Sequence, residues 1–218
     1  MFIPRDPVVQ NQFCKYAAQT ATSTAGVGGV VAYAGSVVYL DSTATNQEPE
    51  VKKMAYNSSA YTPFGFLMQK VKTGYHQVHP VGFVMPGDLG SSDAIAQPSY
   101  STAGAITGTK SVPVGVAHLG IWDTVHYTCT KTSSSLVSTA SAAILPGQAL
   151  YAAADEGKVT NSTSNADGTT TADTGDVGTG DRCSTVQVAT VVKGVSVAKA
   201  SANINNTVLS PIRVKLLI

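Results

Sequence analysis

Charge is what this chain has least of. Only 12% of its 218 residues are Asp, Glu, Lys or Arg, and the formal balance at pH 7 is +1. Proteins that hold nucleic acid or an anionic membrane by electrostatics carry a basic excess, so neither partner is expected. Cysteine is scarce too: Cys14, Cys129 and Cys183 are odd in number and stand far apart. Disulfide frameworks and zinc sites use closely spaced pairs, so three reduced, structural thiols are expected. No apolar run approaches the roughly 18 residues of a membrane span. The opening MFIPRDPVVQNQF lacks the basic-then-apolar order of a secretory signal. An intracellular origin follows, and on that reading the sequons at Asn57, Asn161 and Asn205 are chance.

Signatures of chemistry are missing as well. GAITGTKS (104–111) looks like a phosphate loop, but Thr109 separates the glycine from the lysine that must adjoin it, so a loop between strands is expected. His76 and His79 fall on opposite sides of a strand, with no carboxylate or cysteine close by to complete a site. His118 and His126 flank Asp123, yet no G-x-S-x-G elbow supplies a nucleophile, and buried imidazoles bonded to carbonyls are the plain expectation. Asp167, Asp173, Asp176 and Asp181 match neither calcium-loop spacing, so a solvated loop over 161–181 is expected. Trp122, the only tryptophan, reads as a packing or oligomer anchor. No catalytic, cofactor-binding or metal-binding residue is assigned.

What the chain does have is strand grammar. GVVAYAGSVVYL, GFLMQKVK, VHPVGFVM, KSVPVGVAHLGIWDTVHYTC, QALYAAA and VQVATVVKGVSVAKA are Val-, Tyr- and Thr-rich runs punctuated by Gly, Pro, Asn or Asp. That pattern predicts an all-β fold of small barrel-like or sandwich units. Lys193-Gly194 reads as a hairpin turn between two alternating runs. The closing PIRVKLLI puts Ile212, Val214, Leu216 and Ile218 on one face, which predicts a half-buried last strand. Residues 1–30 read differently, as an extended arm. Asp6-Pro7 can cap a helix, and Val9, Phe13 and Tyr16 lie near helical spacing, so a short helix to about Gln19 is expected there. The division is then an arm at 1–30, a β domain at 31–130 and a second β unit at 131–218, the alternative being one continuous β domain after the arm.

One phrase occurs twice. GSVVYL (35–40) and GQALYA (147–152) each set a glycine four residues before a tyrosine. Polar stretches follow both (EVKKMAYNSS and DEGKVTNSTS), then GFLMQKV and VQVATVV. The spacing aligns Phe66 with Gln187 and predicts two related β units, the second enlarged within 161–181.

AGSVVYL…GFLMQKV and LPGQALYAAADEGKVTN…TVQVATVV resemble the grammar of tailed-phage head decoration, or cement, proteins. The resemblance covers about half the chain, on loose motifs, and PGDLGSSDAIAQPSYSTAG has no counterpart in it. It implies small β folds, including the β-tulip type, that bind the major capsid protein on the outer capsid surface of a virion after synthesis in the host cytoplasm. It also implies a homotrimer that braces the head, with the arm as capsid-binding element through Phe2, Ile3, Val8, Val9, Phe13 and Tyr16. The competing expectation is a carbohydrate- or receptor-binding β module of a phage fibre or other virion appendage. A third is a hydrolase assembled from His118, Asp123 and a serine.

Overall fold

The computed structural model describes residues 2–5, 10–20, 30–43, 49–55, 61–73, 93–104, 106–129, 131–134, 137–140, 143–154, 157–163, 182–204 and 207–218. The described residues are mostly strand, with one short helix, which is the all-β class the composition predicts.

Six of the strands before Gly120 carry the main architecture: β1 (Phe2–Pro4), β2 (Gln10–Tyr16), β3 (Val37–Leu40), β4 (Glu50–Lys53), β5 (Pro63–Leu67) and β6 (Val112–Leu119). Strands β2 to β6 form a closed barrel in the order β6-β2-β4-β3-β5. After Gly120 come β7 (Ile121–Thr124), β8 (Tyr127–Thr128), β9 (Ala149–Ala153), β10 (Val159–Thr160), β11 (Arg182–Lys193), helix α1 (Val197–Ile204) and β12 (Ile212–Leu216). These strands and β1 make one sheet ordered β1-β7-β12-β11-β9-β10-β8. Only Val125 and His126 separate β7 from β8, so the sheet returns onto the strand it started from. The wall order of this seven-stranded sheet matches that of the closed barrel, so it is called barrel two here, with β1 as an extra strand outside it.

The two barrels repeat each other residue by residue. Parallel pairing of Tyr16 with Val51 is matched by Tyr127 with Val159. The hairpin pair Leu40–Val51 is matched by Ala152–Val159. On the next wall, Val37–Phe66 and Val38–Gly65 correspond to Ala149–Thr190 and Leu150–Ala189, and both ladders slip by one residue immediately afterwards. A bulge kept at the same place in both copies belongs to the architecture. Closure is shared as well: Val116–Leu67 and Val114–Cys14 correspond to Val214–Val191 and Ile212–Thr124. At equivalent inner positions stand Tyr16 and Tyr127, Val38 and Leu150, Val51 and Val159, Leu67 and Val191, and Val116 and Val214, every one buried.

The repeated phrase is the repeated entry to the central wall. Tyr33-Ala34-Gly35-Ser36 and Leu145-Pro146-Gly147-Gln148 are turns closed by the Ser36 and Gln148 N–H groups on the carbonyls of Tyr33 and Leu145. Their third residues have φ of 91° and 85°, which glycine adopts without a Cβ penalty. In both, the glycine N–H donates across the barrel, Gly35 to Leu67 O and Gly147 to Val191 O, each at 2.8 Å. Register corrects the sequence alignment: Phe66 corresponds to Thr190, three residues beyond Gln187.

The arm reading is also corrected. No helix forms over the described part of 1–30; β2 is the first wall of barrel one, paired along its length with β6. The burial of Cys14 and Tyr16 between exposed Phe13 and half-exposed Lys15 has the strand period of two, and ladder pairing overrides the near-helical spacing of the aromatics. The expected boundary at 130 moves to Gly120, because β7 and β8 pair with β12 and β10. Lys193-Gly194 is not a hairpin. Beyond β11 the chain passes Ile144 so closely that any side chain at 194 would collide with the Ile144 carbonyl, and α1 then starts after Ser196. Ile212, Val214 and Leu216 do face the core, as expected.

Three smaller pairings decorate the barrels. Val30–Ala32 joins Val71–Thr73 and Ala94–Ala96; Gln19–Thr20 joins Ile106–Thr109 and Pro98–Tyr100; Lys131–Ser134 pairs with Val137–Ala140. Val37, Phe66 and Ala117, from the outer walls of barrel one, belong to the same apolar cluster as the interior of barrel two, so the barrels share a junction.

Candidate functional site

The first residues form a clamp on barrel two. Strand β1 pairs antiparallel with β7, setting Ile3 opposite Asp123. The Phe2 ring stacks on Trp122 (4.4 Å between centroids, 7° between planes) and on Phe66 from barrel one (5.8 Å). Arg5 donates from its backbone N–H to Ile121 O and from Nε to Asp123 Oδ2 at 2.6 Å. Arg213 on β12 reaches the same carboxylate, Nε to Oδ1 at 2.8 Å and Nη2 to Oδ2 at 3.2 Å. The hydrogen bonds of Arg213 and then Arg5, against the opposing effect of burial, hold the Asp123 carboxyl below its ordinary range. Asp123 therefore ties β1, β7 and β12 together. It is no partner for a catalytic histidine: His118 instead presents its ring edge-on to Phe64 at 4.8 Å.

The capsid-binding candidates separate accordingly. Phe2 and Tyr16 are buried, Ile3 is half-buried, and Val8 and Val9 lie outside the described residues. Phe13 alone stands in solvent, 81% exposed on the outer face of β2. Trp122 is 1% exposed, packed within the chain under Phe2, with its Nε1 donating to Leu119 O at 3.2 Å. It is a packing anchor of the monomer, reachable neither by a neighbouring subunit nor by a sugar ring.

Between the barrels runs a cleft of about 630 Å³ lined by Phe2, Tyr33, Lys70, Asp93, His126 and Lys158, among others. Asp93 is salt-bridged to Lys72 at 2.7 Å and Lys70 at 3.5 Å. His126 lies 3.1 Å through Nε2 from Ser36 Oγ, beneath the tilted ring of Tyr33. A serine beside a histidine raises the question of a nucleophile. Ser36 is fully buried at the junction, directly after the Gly35 turn. The pair joins barrel one to the start of β8. Gly35 is forced to stay small here, since a Cβ would lie 2.8 Å from Thr124 Oγ1.

The remaining candidates are quickly placed. All three cysteines are buried and outside any disulfide, and burial pushes the Cys183 thiol up to about 11. Among the described residues no cluster of three His, Cys, Asp or Glu could hold a metal, and no helix is long and apolar enough to cross a membrane. Ile106–Thr109 of the glycine-lysine stretch is a strand. His76, His79 and the aspartates 167, 173, 176 and 181 lie outside the described residues.

Large apolar side chains are left in water instead: beside Phe13, Val208 and Leu209 are more than 60% exposed and Leu145 is 54% exposed. Sequence reasoning singled out only Phe13 of these. Position in β2 gives it away, because Cys14 and Tyr16 claim the inner face and leave Phe13 outside.

No family model matches the chain, and no curated protein or solved structure matches it.

Proposed function

We propose that the chain is a decoration protein that cements a viral head by binding the outside of an assembled major capsid protein lattice, acting as a homotrimer. The observation that carries this reading is the allocation of side chains. The described acidic groups at Asp41, Asp93 and Asp123 are consumed in internal ion pairs, while Phe13, Leu145, Val208 and Leu209 face solvent. Each of these apolar side chains is a candidate contact for a partner protein, because covering it removes apolar area from water. A rigid pair of barrels suits a brace that must fit a lattice without deforming. The sequence resemblance to decoration proteins points the same way. The carbohydrate-module alternative is weakened by the burial of Trp122, which leaves no tryptophan platform for a sugar.

The test is addition of the purified protein to empty heads assembled from the major capsid protein of the same genome. Saturable co-sedimentation and a higher rupture temperature are expected, because a ligand of the assembled state stabilises it by mass action. A protein that stays in the supernatant at micromolar concentration overturns the reading.

A further inference from the structure

The two barrels turn the same outer face to different surroundings. In barrel one, Val37, Phe66 and Ala117 form a row across β3, β5 and β6, and all three are buried in the apolar cluster shared with barrel two. The equivalent row of barrel two is Ala149, Thr190 and Lys215 on β9, β11 and β12, extended onto β7 by Ile121. Lys215 is exposed and the other three are half-buried. A face that closes the junction in one copy is polar and cationic in the other.

The cations continue into the next row. Lys193 stands opposite Arg213, and Arg213 opposite Asp123. Directly opposed residues share a face of the sheet, as do residues two apart on one strand, so Lys193, Arg213, Asp123 and Lys215 stand together. Arg5 joins them from the end of β1 through its bond to Asp123. Two guanidinium groups thus share one carboxylate, while Lys193 and Lys215 are exposed and ion-paired with no described residue. Asp123 is the one acidic residue in β1, β7, β9, β11 and β12. The near-neutral total conceals this surplus. All 14 lysines and arginines stand among the described residues, with 4 of the 13 acids: Asp41, Glu50, Asp93 and Asp123, each buried or ion-paired. Like charges directly opposed on neighbouring strands destabilise a sheet, so Lys193 beside Arg213 is a cost that a partner's carboxylates recover.

We infer that this face of barrel two, centred on Lys193, Arg213 and Lys215, docks an acidic protein surface, which in the decoration reading is a carboxylate-bearing patch on the outside of the capsid lattice. The inference rests on that reading and names the chemistry of its contact. Complementary charge selects the partner and speeds its encounter. Nucleic acid is the less suited polyanion. Base stacking needs an uncovered ring, and Tyr151, which faces outward on β9, already carries the Arg182 guanidinium 4.8 Å over its centroid. Arg5 and Arg213 are both turned to Asp123, so neither offers a free fork to a phosphate or a guanine edge. Four strands about 4.8 Å apart make a face about 15 Å across. A contact of that size is weak singly, and repetition over a lattice makes it sufficient.

The experiment compares wild type with Lys193→Glu, Lys215→Glu and Lys110→Glu on assembled heads; Lys110 is an exposed lysine outside these strands, and its reversal changes net charge equally. At about 0.1 M salt the first two should each bind about tenfold more weakly, and Lys110→Glu should stay within about twofold of wild type. At about 1 M salt, where the Debye length is about 3 Å, the differences should shrink. Lys193→Glu should melt no lower than wild type, since it replaces a like-charge pair with an opposite one, so its lost binding is not lost folding. Equal losses in all three variants, or no loss in any, overturn the docking face and leave the decoration reading standing. A second arm titrates the free protein with polyglutamate and with a mixed-sequence DNA duplex. Binding of polyglutamate that depends on Lys193 and Lys215 is expected, and preference for the duplex overturns the acidic-protein partner. Polyglutamate binding that emerges solely when residues 163–179 are replaced by a Gly-Ser linker assigns the face to the chain's own acidic stretch and also overturns the inference. Heads that fail to bind wild type overturn the decoration reading and, with it, the lattice as occupant.

Discussion

Barrel one and barrel two share a register, a bulge and an entry turn, yet they protect the first wall differently. Barrel two covers it with β1, fills the inside with Trp122 and neutralises Asp123 with two arginines. Barrel one puts Gln12 where barrel two has Trp122, and Phe13 where it has Asp123, and both Gln12 and Phe13 are exposed. The contrast teaches that the common strand grammar sets the barrel, while the residues of its first wall differ in what they pack against and pair with. Open strand edges are an aggregation hazard that proteins normally cover, as β1 covers β7 here.

The largest break in the equivalence is expected at its most unlike pair. Trp122→Ala removes a fully buried ring and should cost about 3–5 kcal/mol, whereas Gln12→Ala should fall within about 0.5 kcal/mol of wild type. Denaturant unfolding of the two variants measures both, and similar losses would deny that the first walls are used differently.

Asp123 comes next. Asp123→Asn leaves Arg5 and Arg213 without their carboxylate and should cost about 1–2 kcal/mol after allowance for the half-exposed guanidinium groups. The sign of the pH dependence follows from the lowered carboxyl of the folded state. Its stabilisation is complete above the ordinary carboxylate range and is lost as pH falls through the lower folded value. Wild type should therefore lose melting temperature below about pH 4 more steeply than Asp123→Asn. Parallel acid profiles would remove the clamp from the account.

The two entry turns give a finer comparison. Gly147→Ala meets open space and carries only the positive-φ strain, about 1 kcal/mol. Gly35→Ala carries the same strain and also drives a Cβ against Thr124 Oγ1 and the Phe2 ring, so a loss of about 2 kcal/mol or more is expected. Equal losses would show that the junction yields freely around Gly35.

The smallest effect separates the paired tyrosines. The Tyr127 hydroxyl donates to Ser210 O at 2.7 Å, while that of Tyr16 accepts a longer bond from Lys53 N–H at 3.4 Å. Tyr127→Phe should cost about 1 kcal/mol and Tyr16→Phe less than half as much. The reverse order in thermal melts would contradict these geometries.

Much of the fold was legible in the sequence. Alternation in PIRVKLLI gave the last strand, and the echo of GSVVYL in GQALYA marked the two central walls, because a positive-φ glycine and an apolar strand leave local traces. Three things did not. Strand β2 has helix-like aromatic spacing, and only its pairing with β6, about a hundred residues away, makes it a wall. The second copy of the first wall is split by Val125 and His126, so Tyr16 and Tyr127 share no recognisable phrase. Helix α1 hides in VAKASANI, which alternates as well as a strand does until the approach of Gly194 to Ile144 turns the chain. At the site, Phe13 was named among six arm residues, but the outward direction of its main-chain groups depends on where Gly115 sends its hydrogen bonds, which local sequence does not encode.

Residue-resolved amide hydrogen exchange on the free protein tests the central comparison most directly. Equivalent ladder positions, Val38 with Leu150 and Val116 with Val214, should exchange within about tenfold of each other, as local openings of two like barrels would give. Phe13 should exchange at least a hundredfold faster than Asp123, because Ile3 seals the edge at Asp123 while among the described residues none pairs with the outer edge at Phe13. Phe13 protected as well as Asp123 would contradict the account.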